Sequence, residues 1–383
     1  MKKLFLLPLL LLLAGCWDTN QPERMYYIEG LGVDYKDDQY EIYAQIIDFT
    51  NIARTDQPNP EATQAEVGVA KGKTIDEAFF KLYQTMDERL FYGHLSFVIL
   101  SENIAKANKS KEVVNTFVRY RELRYTTWVY VTKTSLEELL LAPPIINKSI
   151  TLSKVSDPRN SFRQSSRIRP VTFRELMIQM DEPSHEVGVP FIEVSDNWST
   201  EKGEDPGIEF SGYAVLSDKE GLKGYFLKDD VEGVQWLMKK TVRTEVTIPL
   251  EEFSDPYITV IVNDVKPTIH PITSSNSIQF DIKVELIVQA NEVTSPELTQ
   301  KIKNRIEKQV KEEINKTYTA ALEKQVDIYR LSEVAYRKEV RAWKKVEKDG
   351  KVPLTESSIR SLNVEVVKFM GERTISKEEE TSR

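Results

Sequence analysis

The amino-acid sequence predicts an α+β fold: a multi-domain, mixed α/β scaffold in which a C-terminal antiparallel sheet packs against a long helix. Three observations carry this. Ile278, Phe280, Ile282, Val284, Leu286 and Val288 alternate with Gln279, Asp281, Lys283 and Glu285, the period of a strand with one buried and one wet face. Just after it, Leu298, Ile302, Ile306, Val310 and Ile314 step by four. Each step overshoots a full helical turn, so the stripe creeps about 160° around the helix. A narrow two-helix seam would lose such a stripe, whereas a broad sheet face keeps it covered. In the first half of the chain, strand-like and helix-like apolar runs interleave.

The N-terminus reads as a leader. Lys2 and Lys3 precede an apolar run, Leu4 to Leu13, broken only by Pro8, and then Leu13-Ala14-Gly15-Cys16. Charge, then grease, then small residues is the order of a secretory signal. The run is about half the ~20 residues a spanning helix needs. Leu13, Ala14 and Gly15 resemble a bacterial lipobox, which makes the chain's single cysteine, Cys16, the expected lipidation site. Two acyl chains hold a protein at a membrane where one is marginal. The expected organisation is a signal peptide over 1–15, a lipidated tether over 16–24, an N-terminal α/β domain over 25–198, a linker over 199–207, a C-terminal domain over 208–375 and a disordered tail over 376–383.

Residues 25–48 read as a hairpin. Tyr40, Ile42, Ala44 and Ile46 alternate with Glu41, Tyr43 and Gln45 across a turn at KDDQ. Residues 51–66 are polar with two prolines and read as a loop. Thr74 with Glu77 three residues on is a capping box. It opens a helix whose inward face is Ile75, Ala78, Phe79, Leu82, Tyr83 and Met86. Residues 94–101 read as a strand, Ser101 precedes a helical stretch, and 110–120 form a helix with Val113, Val114, Phe117 and Val118 inward. Residues 126–133 are β-branched and aromatic, hence a strand. A helix then starts at Thr134 or Ser135 and stops at Pro143 and Pro144. Residues 145–198 are irregular. Within them Arg159, Arg163, Arg167 and Arg169 fall in eleven residues, read as a solvated face in preference to a patch for acidic partners.

Beyond the expected linker, two strands flank a turn at Asp218 to Gly221, and Asp229 with Glu232 suggests a second capping box. Strands at 257–269 and 277–290 precede the long helix. A further helix over 330–346 follows a break near Asp327, and Leu362, Val364 and Val366 mark a last strand.

The net charge of −8 over 383 residues argues against a nucleic-acid binder. Away from the leader no apolar run reaches 18 residues, so the rest is expected to be soluble. His94, His185 and His270 are far apart and form no HExxH, so no metal and no cofactor are expected. No GxSxG elbow, Walker loop or dinucleotide fingerprint is present. Paired carboxylates of a wall hydrolase are a weak alternative. No catalytic residue is expected.

The order of motifs resembles a known family. GCWD (15–18), IEGLGVDYKDDQYEIYAQIID (28–48), KTIDEAFFKLYQTMDERLFYGHLSFVILSENIA (73–105), GYAVLSDKEGLKGYF (212–226) with GVQWL (233–237), and the Glu/Lys-rich helix leading into VRAWKKV (340–346) are similar to the Ger(x)C lipoproteins. These are the C subunits of spore nutrient germinant receptors. The resemblance implies a non-enzymatic protein held by lipid on the outer surface of the spore's inner membrane, acting with the receptor's A and B subunits. It implies the α/β assembly expected above. It maps the family's FGHLQ-like motif onto Tyr92-Gly93-His94-Leu95-Ser96, making Gly93 and His94 candidate structural residues. The alternative function is a solute-binding lipoprotein feeding a transporter, which needs two lobes around a cleft.

Overall fold

The computed structural model describes residues 24–47, 65–120, 123–201, 203–238, 240–249, 257–290 and 295–371. Leu13, Ala14, Gly15 and Cys16, the tether before Arg24, and the tail 376–383 lie outside the described residues.

A ten-stranded sheet organises the first part of the chain. Its early strands are β1 (Met25–Lys36), β2 (Gln39–Ile47), β3 (Ala65–Gly72), β4 (Arg89–Phe91), β5 (Phe97–Ser101), β6 (Trp128–Thr132), β7 (Val171–Thr172) and β8 (Glu186–Ser195). A two-stranded ribbon, β9 (Ser199–Thr200) and β10 (Gly203–Glu204), interrupts, and then β11 (Gly207–Ser217) and β12 (Gly221–Leu227) return to the sheet. The order is β12-β11-β8-β6-β5-β1-β2-β3, with β4 on β1 and β7 on β6. The middle strands β8, β6, β5 and β1 pair in parallel, and the flanks are antiparallel. The β1–β2 turn carries Asp37 and Asp38 at positive φ, as a tight hairpin requires.

The central strands are buried on both faces, which is why 97–101 is a continuous apolar run. Val98 and Leu100 face a core covered by α1 (Ile75–Tyr83), α2 (Glu102–Lys106), α3 (Ser110–Arg119) and, further on, α6 (Phe173–Asp181). Phe97 and Ile99 face a second core, covered by α4 (Leu136–Leu141) and residues 150–168, where the short α5 (Arg159–Gln164) lies. As expected, the Thr74 hydroxyl accepts the Glu77 amide at 3.1 Å and α1 buries Ile75, Ala78, Phe79 and Leu82. In α3, however, Val118 is exposed and only Val113, Val114 and Phe117 turn inward.

A second sheet has the order β13 (Thr244–Pro249), β14 (Tyr257–Thr273), β15 (Ile278–Ala290), β16 (Ile359–Gly371). Its first three strands are antiparallel, but β16 lies parallel to β15. A parallel return needs a crossover, and the chain supplies it with α8 (Pro296–Glu323), α9 (Leu331–Lys338) and α10 (Val340–Val346). A four-residue helix, α7 (Val234–Leu237), precedes this sheet. The α8 stripe does what its drift predicted: Ile302, Ile306, Val310 and Ile314 are fully buried on the strands, with Leu298 partly covered. Each such side chain contributes about 1.5–3 kcal/mol.

Several boundaries differ from the sequence expectations. An edge strand, β3, begins at Ala65, two residues before the expected loop ends. The irregular stretch 145–198 contains α6, with a complete Thr172–Glu175 capping box, and the ten-residue β8. Within the expected linker, β9 and β10 form a separate two-stranded ribbon, and beyond it β11, from Gly207, pairs with β8 over ten positions. Asp229 and Glu232 do not cap a helix. Gly233 precedes α7 without a side-chain cap, and the two acids bind Lys316 and Arg167 instead. The helix expected over 330–346 is two helices, broken where Glu339 leaves helical geometry (φ −135°, ψ 50°).

Candidate functional site

The Tyr92–Ser96 turn leads into β5. Leu95 donates to the Tyr92 carbonyl at 3.0 Å, and Ser96 donates to the Glu29 carbonyl on β1 at 2.9 Å. Gly93 is buried, and a Cβ there would lie 2.5 Å from the Phe91 ring, so a side chain would displace Phe91. The His94 imidazole stands edge-on to Tyr27 at 5.2 Å and lies 6.0 Å from Phe91. Loss of water against these rings, and then repulsion from Arg124, lower its pKa. This turn is built as a packing device. His185 lies elsewhere, its Nδ1 3.0 Å from the Met180 carbonyl, and His270 stands exposed on β14 opposite Asp281. No three His, Cys, Asp or Glu among the described residues are grouped to hold a metal.

Three of the four clustered arginines are in ion pairs: Arg159 with Asp157 at 2.7 Å, Arg167 with Glu232, also at hydrogen-bond distance, and Arg169 with Glu175. Arg167 ties the α5–α6 segment to the entrance of α7, so part of this cluster is stitching.

The densest polar geometry is the seam between the two sheets, which sequence reasoning did not locate. Its centre is Glu186, the first residue of β8 and only 2 % exposed. Its carboxylate pairs with Lys351 and accepts the Asp327 amide at 2.9 Å. Asp327 in turn accepts the Leu331 and Ser332 amides at 2.8 and 2.7 Å. These are orphan donors at the start of α9, which a carboxylate satisfies while also matching the helix dipole. Arg330, at positive φ, donates to the Glu186 carbonyl and pairs with Glu333. Arg337 bridges Glu182 at 2.6 Å and Glu333 at 2.8 Å. Burial raises the Glu186 pKa, against the lowering pull of Lys351.

Helix α8 makes the rest of the seam. Its first turns lie on the second sheet, while Ala320 and Ala321 near its end pack in the core behind the first sheet. Between them Thr317 accepts the Gly233 amide at 2.9 Å, and Glu313 accepts the Trp236 indole N–H at 2.7 Å. A Cβ on Gly233 would lie 2.5 Å from the Glu313 carbonyl, so glycine permits the approach of α8. One helix thus belongs to two cores. Such an arrangement holds two surfaces in fixed relation, and its carboxylates are committed to pairing and capping.

Comparison with known proteins bears on this scaffold. Residues 18–194 match the family described as spore germination protein N-terminal domain, and residues 211–366 match spore germination B3/GerAC-like, C-terminal. The chain belongs to the Ger(x)C family of spore germination proteins. Among its Bacillus subtilis (strain 168) relatives, spore germination protein KC is 25 % identical over 355 residues, covering 88 % of this chain and 87 % of the relative. Spore germination protein B3 is 23 % identical over 290 residues, covering 72 % and 71 %. The crystal structure of the GerBC protein superposes with a TM-score of 0.54 at 17 % identity, covering 89 % of this chain and 96 % of that one. The Ger(x)C chain described here therefore shares that protein's fold, a C-terminal sheet with a long helix included. No helix among its described residues is long and apolar enough to cross a membrane.

Proposed function

We propose that this Ger(x)C protein is a lipid-anchored, non-catalytic subunit of a spore nutrient germinant receptor. Diacylglycerol on Cys16 holds it at the outer surface of the spore's inner membrane, beside the receptor's A and B subunits. The observation that carries the reading is Leu13-Ala14-Gly15-Cys16 at the end of a short apolar run, in a chain of this family. A spanning helix is not needed when two acyl chains supply the anchor. The rest of the molecule then works as a scaffold, presenting two sheets through a common helix. The solute-binding alternative requires lobes that close on a cleft, and a helix shared between two cores opposes such a hinge.

Cys16→Ala tests this. The variant is expected to leave the membrane fraction of spores and to slow nutrient-triggered germination at equal protein level. Full retention in the membrane fraction would remove the anchor from the account.

A further inference from the structure

The ten-stranded sheet has a basic end. Strands β1, β5 and β6 run parallel, so all three begin there. Arg24 precedes β1, Arg89 opens β4, Arg124 precedes β6 and Arg174 lies in the first turn of α6; all four are exposed. Contacts tie them into one surface. Arg24 pairs with Glu88 at 3.4 Å. His94 stands against Tyr27 and Phe91, and Arg124 is close enough to act on its charge. The Arg174 amide donates to the Tyr125 carbonyl at 3.0 Å.

The acids beside this set are largely committed. Glu88 is taken by Arg24, and Glu175 by Arg169 and the cap of α6; Asp87 is exposed. Arg121 and Glu122, outside the described residues, cancel in formal charge. Arg124 and Arg174 are in no ion pair among the described residues. Next to them Tyr125 and, one turn along α6 from Arg174, Ile178 are 50 % and 40 % exposed.

The length of the tether limits how this end can stand to a membrane. Arg24 is eight residues beyond Cys16, a contour of at most about 28 Å. The opposite end of β1, where Asp37 and Asp38 are exposed in the turn, is about 36 Å from Arg24 by strand rise. An inverted molecule is therefore out of reach of an acyl anchor on Cys16. That leaves the basic end down or the sheet lying flat, and charge decides between them. Screening confines each charge to about 8 Å at physiological ionic strength. The net −8 then does not act as one repulsive sum, and the groups nearest the lipid dominate. We propose that this end of the sheet is a lipid-facing surface for an anionic bilayer. Arg124 and Arg174 meet headgroup phosphates, while Tyr125 and Ile178 enter the interfacial layer. A tyrosine suits that layer, with its ring toward the chains and its hydroxyl toward water. The inference rests on acylation of Cys16 and adds a fixed orientation to it.

The test is fluorescence quenching of the acylated full chain on vesicles. With the Cys16 sulfur acylated, Thr126→Cys or Lys73→Cys supplies the single free thiol, and both positions are exposed. Thr126 adjoins the basic end, whereas Lys73 follows Gly72, which pairs with Tyr40 at the opposite end. Each thiol is labelled with bimane, and the vesicles are phosphatidylglycerol with phosphatidylcholine and a headgroup-nitroxide lipid. Stronger quenching at 126 than at 73 is expected. Arg124→Gln with Arg174→Gln should weaken this orientation about 25-fold, roughly fivefold for each arginine, and the excess at 126 should vanish. Vesicles of phosphatidylcholine alone should abolish the excess without any substitution. Equal quenching at both labels on a chain that stays vesicle-bound would overturn the proposal. So would an excess at 126 undiminished by the substitutions and by neutral lipid, the result for a surface reserved for a protein partner. A chain that does not float with vesicles, or that takes bimane at Cys16, refutes the acylation itself and this inference with it.

Discussion

Replacing Lys351 by Met would remove the ammonium that pairs with Glu186 and leave a carboxylate that is 2 % exposed. One backbone donor would remain on it, the Asp327 amide at 2.9 Å. Breaking a buried pair by removing one partner costs about 3–5 kcal/mol. The Lys351 side chain is itself a quarter exposed, so water replaces part of what is lost, and about 2–3 kcal/mol is the expected penalty at neutral pH. The pH dependence has a definite sign. Burial already raises the Glu186 pKa above its ordinary 4.5. A raised folded-state pKa means that the folded chain keeps a proton the unfolded chain has released. The contribution to stability is full below the ordinary value and is lost as pH rises through the folded one. Without Lys351 the folded pKa rises further, so the variant's deficit is largest at pH 7 and shrinks toward about pH 5. Urea unfolding at both pH values, followed by tryptophan fluorescence, measures it. Adding Glu186→Gln to Lys351→Met should restore part of the loss at pH 7, since a neutral amide is cheaper to bury. A deficit equal at both pH values and unrelieved by Gln would refute the reasoning.

Other perturbations have equally direct expectations. Ile306→Ala, at a fully buried stripe position, should cost about 2–5 kcal/mol in urea unfolding. Gly233→Ala forces a Cβ against the Glu313 carbonyl at 2.5 Å; a cost of about 1–3 kcal/mol is expected, with faster limited proteolysis between the two sheets. Gly93→Ala should cost a similar ~1–3 kcal/mol by displacing Phe91, measured as a lower Tm. Val118→Lys, on the exposed side of α3, should change stability by no more than about 0.5 kcal/mol.

Much of this fold is legible where one side of an element meets solvent. The alternation in β15 and the four-residue stepping of α8 leave no ambiguity about which side chains turn inward, and Thr74–Glu77 marks a helix start. Edge and buried elements are harder. In β3, AEVGVAKG carries two glycines and leaves Val69 largely exposed, so its alternation is faint. The α6 start was visible in retrospect: Thr172 and Glu175 have capping-box spacing, and Phe173, Leu176 and Met180 share a face. The surrounding Arg and Ser residues obscured it. Residues 199–207 read as a linker because they are polar; the strands on either side of them, β8 and β11, pair with each other. The seam was the least legible feature. Glu186, Asp327, Arg330 and Lys351 are separated by up to 165 positions, and nothing local marks an acid in a chain with 60 of them as buried. The reading of Cys16, which lies outside the described residues, rests on its neighbours in sequence alone.

The central claim is that this scaffold works at a membrane in contact with integral receptor subunits. Chemical crosslinking in membranes from dormant spores, followed by mass spectrometry of peptides joined to this chain, tests it most directly. The account predicts crosslinks to the A and B subunits and an N-terminal peptide that begins at an acylated Cys16. Recovery of the chain from the soluble fraction with a free Cys16 thiol and no receptor crosslinks would contradict it.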